Sequence, residues 1–323
     1  MIRQIVNLSK PFFKQSKAYA IGMGLVIILI SLSTVYLSFL FNEWRGRFYD
    51  ALQAMQVGVF WHEMIVFSVL AAFAIIAYTL QAYFTQRYAL VWRIETSRYY
   101  LKKWVQRGDR AALENSDQRI QEDLRGFTKQ VATLFVGTVD ALAMILVFTP
   151  VLLNLSSTTP VFGHIIPGSL WVISFVFAVG GSAACFWIGR KVPGLEYLNQ
   201  RVEANFRYNL VEIRQTDEIY QDIPASLDKH VEEVYINYKA MFHQFKLFGF
   251  ASNAYFQIAI IVPFTIMGSG FFTGAITLGV LMQVANAFDR MNSAMTYLLD
   301  RYLDIAELQS VVVRLTEFEE TLK

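Results

Sequence analysis

The sequence predicts an all-α integral membrane protein with six transmembrane helices and long helical extensions on the cytoplasmic side. Three observations carry that prediction. Hydrophobic residues make up 55% of the 323 positions and charged residues only 17%, where soluble domains carry about 25% charged residues. Six stretches reach the roughly 20 apolar residues that a bilayer core demands of a helix. The basic residues, finally, are gathered into alternate loops.

The first eighteen residues hold Arg3, Lys10, Lys14 and Lys17 and no acid. A basic start before an apolar run is also the pattern of a signal peptide, whose apolar region spans about 7–15 residues. The run 19–41 is longer, at 23 residues, and ends in "SFLFNEWRG" without a small-x-small cleavage site, so it is expected to be a retained transmembrane helix. Further spans follow at 64–84, 131–153, 169–189 and 247–267. The sixth, 271–299, contains Asp289 and Arg290 and follows "GSGFFTGAITLG" like the return leg of a hairpin.

The N-terminus, the loops 85–130 and 190–246 and the tail 301–323 hold 25 of the 28 Lys and Arg residues; the three opposite loops hold 2. Positive charge marks the cytoplasmic side, so both termini are expected there. The opposite connections are short: 268–275 is barely a turn, and 154–168 is uncharged with Pro160 and Pro167. The internal loops, of 46 and 57 residues, look helical. "YALVWRIETSRYYLKKWVQRG" mixes aromatic, aliphatic and basic residues up to a stop at Gly108. In "PGLEYLNQRVEANFRYNLVEIRQTDEIY", Leu195, Leu198, Val202, Phe206, Leu210 and Ile213 recur every three or four residues and form one apolar helix face.

Helices continuing from the second and fourth spans would reach tens of ångströms past the membrane and leave apolar faces for a partner, so a homodimer is expected. This layout is that of the membrane half of an ABC exporter, in a single transmembrane domain over 1–323. No G-x-x-x-x-G-K-[ST] phosphate cradle is present and only 24 residues follow the sixth span, so no nucleotide-binding domain is expected. His62, His164, His230 and His243 are scattered, Cys185 is single and reads as a packing residue, and no G-x-S-x-G elbow occurs. Neither an enzyme, a metal nor a cofactor is expected, and a net charge of +2 does not point to nucleic acid.

The polar residues are the candidates for function. Asp140 lies midway along the third span, where a carboxylate costs about 2.5–3.5 kcal/mol; it serves either a helix-packing hydrogen bond or a functional role. Asp289 and Arg290 are adjacent, point differently around the helix, and fit the cytosolic end of a shorter span. Glu196 and Glu203 are seven residues apart on nearly one helix face, with Glu212 further along. Arg201 and Arg207 flank Glu203, Arg207 at i+4. In "NSDQRIQED" (115–123), Arg119 and Asp123 are i,i+4, and Glu122 and Arg125 i,i+3. Each set also fits a plain solvated charged face.

The segments "NEWRGRFYDALQ", "SDQRIQEDLRGF", "PGLEYLNQRVEANFRYNLVEIR", "GAITLGVLMQVANAFDRM" and "YLDIAELQSVVVRLTEF", in this order over nearly the whole chain, resemble the SbmA/BacA family. Those bacterial inner-membrane transporters take up antimicrobial peptides and other peptide-like compounds. The resemblance extends more loosely to membrane domains of ABC transporters in which D-Q-R-I recurs. It implies a homodimer around a large polar cavity, driven by protons without ATP. It carries the family's cavity glutamates onto Glu203 in "QRVEA", Glu122 in "QED" and Glu196 in "PGLE"; Asp140, by its depth in the third span, joins them as a further proton-coupling candidate. Asp123, Arg119, Arg201 and Glu212 become cavity or gate residues; "EIRQTDE" around Glu212 departs from the family pattern, and the N-terminus is shorter than in typical members. Two other readings stand beside it: the membrane subunit of an ABC transporter with a separate ATPase, and a non-transporting scaffold or receptor.

Overall fold

A computed structural model describes residues 1–106, 116–215 and 222–322. Their regular structure is helical, with one isolated bridge between Val161 and His164. The helices are α1 (Ile2–Gln15), α2 (Lys17–Gln53), α3 (Val57–Val105), α4 (Ser116–Gln118), a π-helical turn (Arg119–Asp123), α5 (Leu124–Thr158), α6 (Ser169–Gly189), α7 (Val192–Gln215), α8 (Ala225–Phe272), α9 (Leu278–Met295), α10 (Tyr297–Asp300) and α11 (Tyr302–Thr321). Gly108, the expected helix stop, and the expected continuation of α7 through 216–220 lie outside the described residues, as does Asn115.

Five of the helical runs are long and apolar enough to cross a membrane: Lys17–Gln53, Val57–Val105, Ser116–Thr158, Ser169–Gln215 and Ala225–Phe272. They contain the first five expected spans. At 1.5 Å per residue, α3 is about 74 Å long against a hydrocarbon core of about 30 Å. The expected outer loop 42–63 is mostly helix, because α2 runs on to Gln53 and α3 starts at Val57. Only residues 54–56 turn the chain, with Met55 at φ 53° and its side chain in the open.

The sixth expected span is corrected by the structure. Phe271 and Phe272 finish α8, Gly274 turns the chain at φ 74°, and Thr277 caps α9 by accepting from the Val280 N–H. The helix then breaks at Thr296, short of residue 299. Two further N–H groups at its start are met by α2: Leu278 donates to Gln53 Oε1 at 2.6 Å and Gly279 to Asp50 Oδ1 at 2.9 Å. Gly279 lies so close to α2 that a Cβ there would run into the Gly46 carbonyl oxygen and the Asp50 carboxylate. Below this contact, Gln283 donates to Glu43 at 2.6 Å and Asn286 to Asn42 at 2.8 Å. Polar residues that lower the hydropathy of α9 are thus matched by polar residues of α2 and not by lipid.

The chain forms two compact units, Met1–Ala178 with Ile260–Lys323, and Val179–Ala259. The first has two apolar centres. In one, Phe12 of α1 stacks on Trp92 of α3 at 5.5 Å, Trp92 meets Phe127 of α5 edge-on at 5.7 Å, and Val312 and Leu315 of α11 close the cluster. In the other, Phe148 and Leu152 of α5 pack with Val284 and Met291 of α9 and with Met267 at the end of α8. At membrane depth such centres are held by close packing of side chains, since lipid is as apolar as they are. In the second unit, Gln244 donates to the Ile188 carbonyl, Asn237 donates to Asn199 at 3.2 Å, and Gly181 makes room for the Tyr255 ring.

Candidate functional site

Asp140 stands where α2, α3 and α5 meet. Its carboxylate accepts from the Ser31 hydroxyl of α2 and from Gln81 Nε2 of α3, at 3.0 Å to Oδ2 and 3.3 Å to Oδ1. Gln81 Nε2 also lies 3.3 Å from Ser31 Oγ, so the three side chains form a closed triangle. Ser31 and Gln81 are buried. The sequence arranges this approach through a stripe of small hydroxyl residues on α2: Ser31, Thr34 and Ser38 recur at helical spacing and are all buried. Thr34 and Ser38 return their hydroxyls to the Ser31 and Thr34 carbonyls, at 2.7 and 3.0 Å, which satisfies them inside their own helix. Small residues of this kind let membrane helices come close. No Lys or Arg pairs with Asp140 among the described residues.

Asp123 forms a different kind of centre. It ends the π-helical turn, is 3% exposed, and is gripped by two guanidinium groups. Arg119 Nη1 donates to Oδ2 at 2.7 Å; Arg314 of α11 donates twice, Nη2 to Oδ1 at 2.7 Å and Nε to Oδ2 at 3.1 Å. The two-pronged geometry matches guanidinium to carboxylate and is the strong form of such a bond. Arg314 Nη1 is steadied by Ser310 Oγ at 2.7 Å. The hydrogen bonds to Asp123 hold the Arg314 guanidinium above its ordinary range, against the opposing effect of burial. The π-helical winding, a form concentrated at functional sites, sits on the "RIQED" stretch that the sequence marks as dense in charge.

The other candidates are spread out. Glu122 is exposed and takes a hydrogen bond from Gln118 at 3.3 Å, with no ion pair to Arg125. On α7, in the second unit, Glu196 and Glu203 are half-buried and Arg201 and Glu212 exposed. The expected i,i+4 ion pair of Glu203 with Arg207 does not form, and none of the six apolar residues from Leu195 to Ile213 is fully buried. Within the first unit, Asp123 and Asp140 are separate centres, about 25 Å apart along the helical run at 1.5 Å per residue.

Three partners escaped the sequence reading: Ser31, Gln81 and Arg314. A signal existed for each, since Ser31 and Gln81 interrupt apolar spans and Arg314 interrupts "SVVVRLTEF". What no local pattern carries is which distant residue each one meets. Also unforeseen is the buried Glu63, held by Arg47 Nε at 2.9 Å.

Comparison with known proteins places the chain in a family. The family model described as SbmA/BacA-like matches residues 14–323, and the chain belongs to that family. An uncharacterized ABC transporter ATP-binding protein of Haemophilus influenzae is 29% identical over 277 residues, which cover 80% of this chain and 46% of the relative. The inner membrane ABC transporter ATP-binding protein YddA of Escherichia coli is 23% identical over 343 residues, covering 99% of this chain and 61% of YddA. The chloroplastic ABC transporter D family member 2 of Arabidopsis thaliana is 23% identical over 333 residues, covering 99% and 46%. The chain thus spans about half the length of the relatives it matches.

Proposed function

We propose that this member of the SbmA/BacA-like family is a proton-gradient-driven importer of antimicrobial peptides and other bulky peptide-like compounds. It works as a homodimer in the bacterial inner membrane, with both termini in the cytoplasm, and performs no chemistry on its cargo. The observation that carries the reading is the family match over residues 14–323. Five membrane-length helices agree with it, and α9, shielded by polar contacts to α2, supplies the sixth crossing that returns the chain to its starting side. Glu203, Glu122, Glu196 and Asp140 are the proton-coupling carboxylates. Asp123 and Arg119 in the first unit, and Arg201 and Glu212 in the second, are the cavity or gate residues.

The second reading is a membrane subunit that works with a separately encoded ATPase. The names of the relatives favour it, because ABC transporter ATP-binding proteins match this chain over about half their length. Uptake of a fluorescent peptide into sealed proteoliposomes, with an imposed pH gradient and no nucleotide, separates the two. The expected result is uptake by the wild type that collapses in Glu203→Gln. Uptake seen only with an added ATPase and ATP would overturn the proton-driven reading.

A further inference from the structure

We infer that Asp140, positioned by Ser31 and Gln81, is the group whose proton occupancy sets how α2, α3 and α5 pack during transport. This deepens the proton-driven reading above and rests on it. A coupling carboxylate that ties together elements able to move relative to one another changes their contact energy on gaining a proton. Of the carboxylates described, Glu122 is exposed and bonds within its own turn, and Asp123 is neutralised by two guanidinium groups. Asp140 instead bonds to two other helices through neutral donors alone.

That chemistry makes the triangle a two-state element. Ionised, Asp140 is an acceptor only, and the Ser31 O–H and the Gln81 N–H both point at it. When a proton binds, the carboxylate becomes a carboxylic acid with one O–H to donate. Ser31 Oγ or Gln81 Oε1 must then turn to accept it, which rewires the contact between α5 and the other two helices. The proton comes from the water phase and returns to it, so the step is balanced as carboxylate plus proton to acid.

Few other ionisable groups face this centre. Within one turn of Ser31 or Gln81, α2 and α3 offer no charged side chain, and Tyr78 and Tyr83 are exposed. From α10, Tyr297 is electrostatically coupled to Asp140, with Arg301 and Asp304 acting on Tyr297 in turn. From α9, which also packs on α5, the charged residues are the exposed Asp289 and the half-buried Arg290.

The test is infrared difference spectroscopy of the full chain in proteoliposomes, titrated with pH, beside gradient-driven peptide uptake in the same vesicles. The wild type is expected to show the carbonyl band of a titrating carboxylic acid that disappears in Asp140→Asn. In the variant, gradient-driven uptake is lost while peptide exchange without a gradient persists. Ser31→Ala and Gln81→Ala should displace the midpoint of that band in the same direction, by about half a pH unit or more, because each removes a donor to the same carboxylate. Ser31→Thr, which keeps the hydroxyl, should restore it. An unchanged band or undiminished gradient-driven uptake in Asp140→Asn overturns the assignment, and unmoved midpoints in Ser31→Ala and Gln81→Ala overturn the positioning role. A band that titrates in a wild type showing no gradient-driven uptake would leave Asp140 a proton site and overturn the transport reading instead.

Discussion

Asp123 and Asp140 are two aspartates on one helical run, and the protein treats them in opposite ways. Asp123 is buried between Arg119 and Arg314, so its charge is balanced by charge and its geometry is locked from two elements. Asp140 is held by a hydroxyl and an amide, which orient a carboxylate without neutralising it. The difference teaches which of them can change its protonation state without breaking an ion pair. A carboxylate forked by guanidinium groups loses heavily if it is removed or protonated, whereas one held by neutral donors can take either protonation state and keep hydrogen bonds in both.

The largest effect is expected at the charged centre. Asp123→Ala leaves two guanidinium groups facing each other without their anion and should cost about 2–4 kcal/mol, toward the lower part of the range for broken buried pairs because both arginines are partly exposed. Thermal unfolding of the detergent-purified protein measures it; a cost no larger than that of Asp140→Asn would erase the contrast. Arg314→Ala comes next, at about 1–2 kcal/mol, since Arg119 still satisfies one oxygen of Asp123. The same melt, run with Arg314→Lys, sharpens the comparison: a lysine keeps the charge but not the fork and should recover only part of the loss. Smallest is Asp140→Asn, expected to change stability by less than about 1 kcal/mol, because an amide of equal size still accepts one hydrogen bond and carries no charge to bury. Combined with Asp123→Ala it should add within about 0.5 kcal/mol, as distant independent sites do. A larger coupling, read from the double mutant's melt, would mean that the two centres move together.

Much of this architecture is legible along the chain. The span 169–189 coincides with α6, and 19–41 lies within α2, because twenty consecutive apolar residues leave a helix few alternatives in a bilayer. The helix of the sixth expected span starts later than the apolar run suggests, for an equally physical reason. Hydropathy reads α9 as a poor continuation of the apolar run at Phe271, while its true start is set by the turn at Gly274, the Thr277 cap and the side chains of Asp50 and Gln53. Of the site, Asp140 and the pair Arg119–Asp123 could be named in advance, one by its depth and the other by its i,i+4 spacing. Their decisive partners could not.

By itself, then, the order of residues determines a helical membrane protein of this family, the approximate place of its apolar helices, and which polar residues stand at unusual depth. Those properties follow from local composition and period, which act along the chain. Tertiary structure alone decides that Ser31 and Gln81 converge on Asp140, that Arg314 reaches back 191 positions to Asp123, and that Gly279 packs against Gly46. Such contacts depend on which faces of long helices meet, and a buried polar group takes its partner from that meeting, however far away in sequence the partner lies.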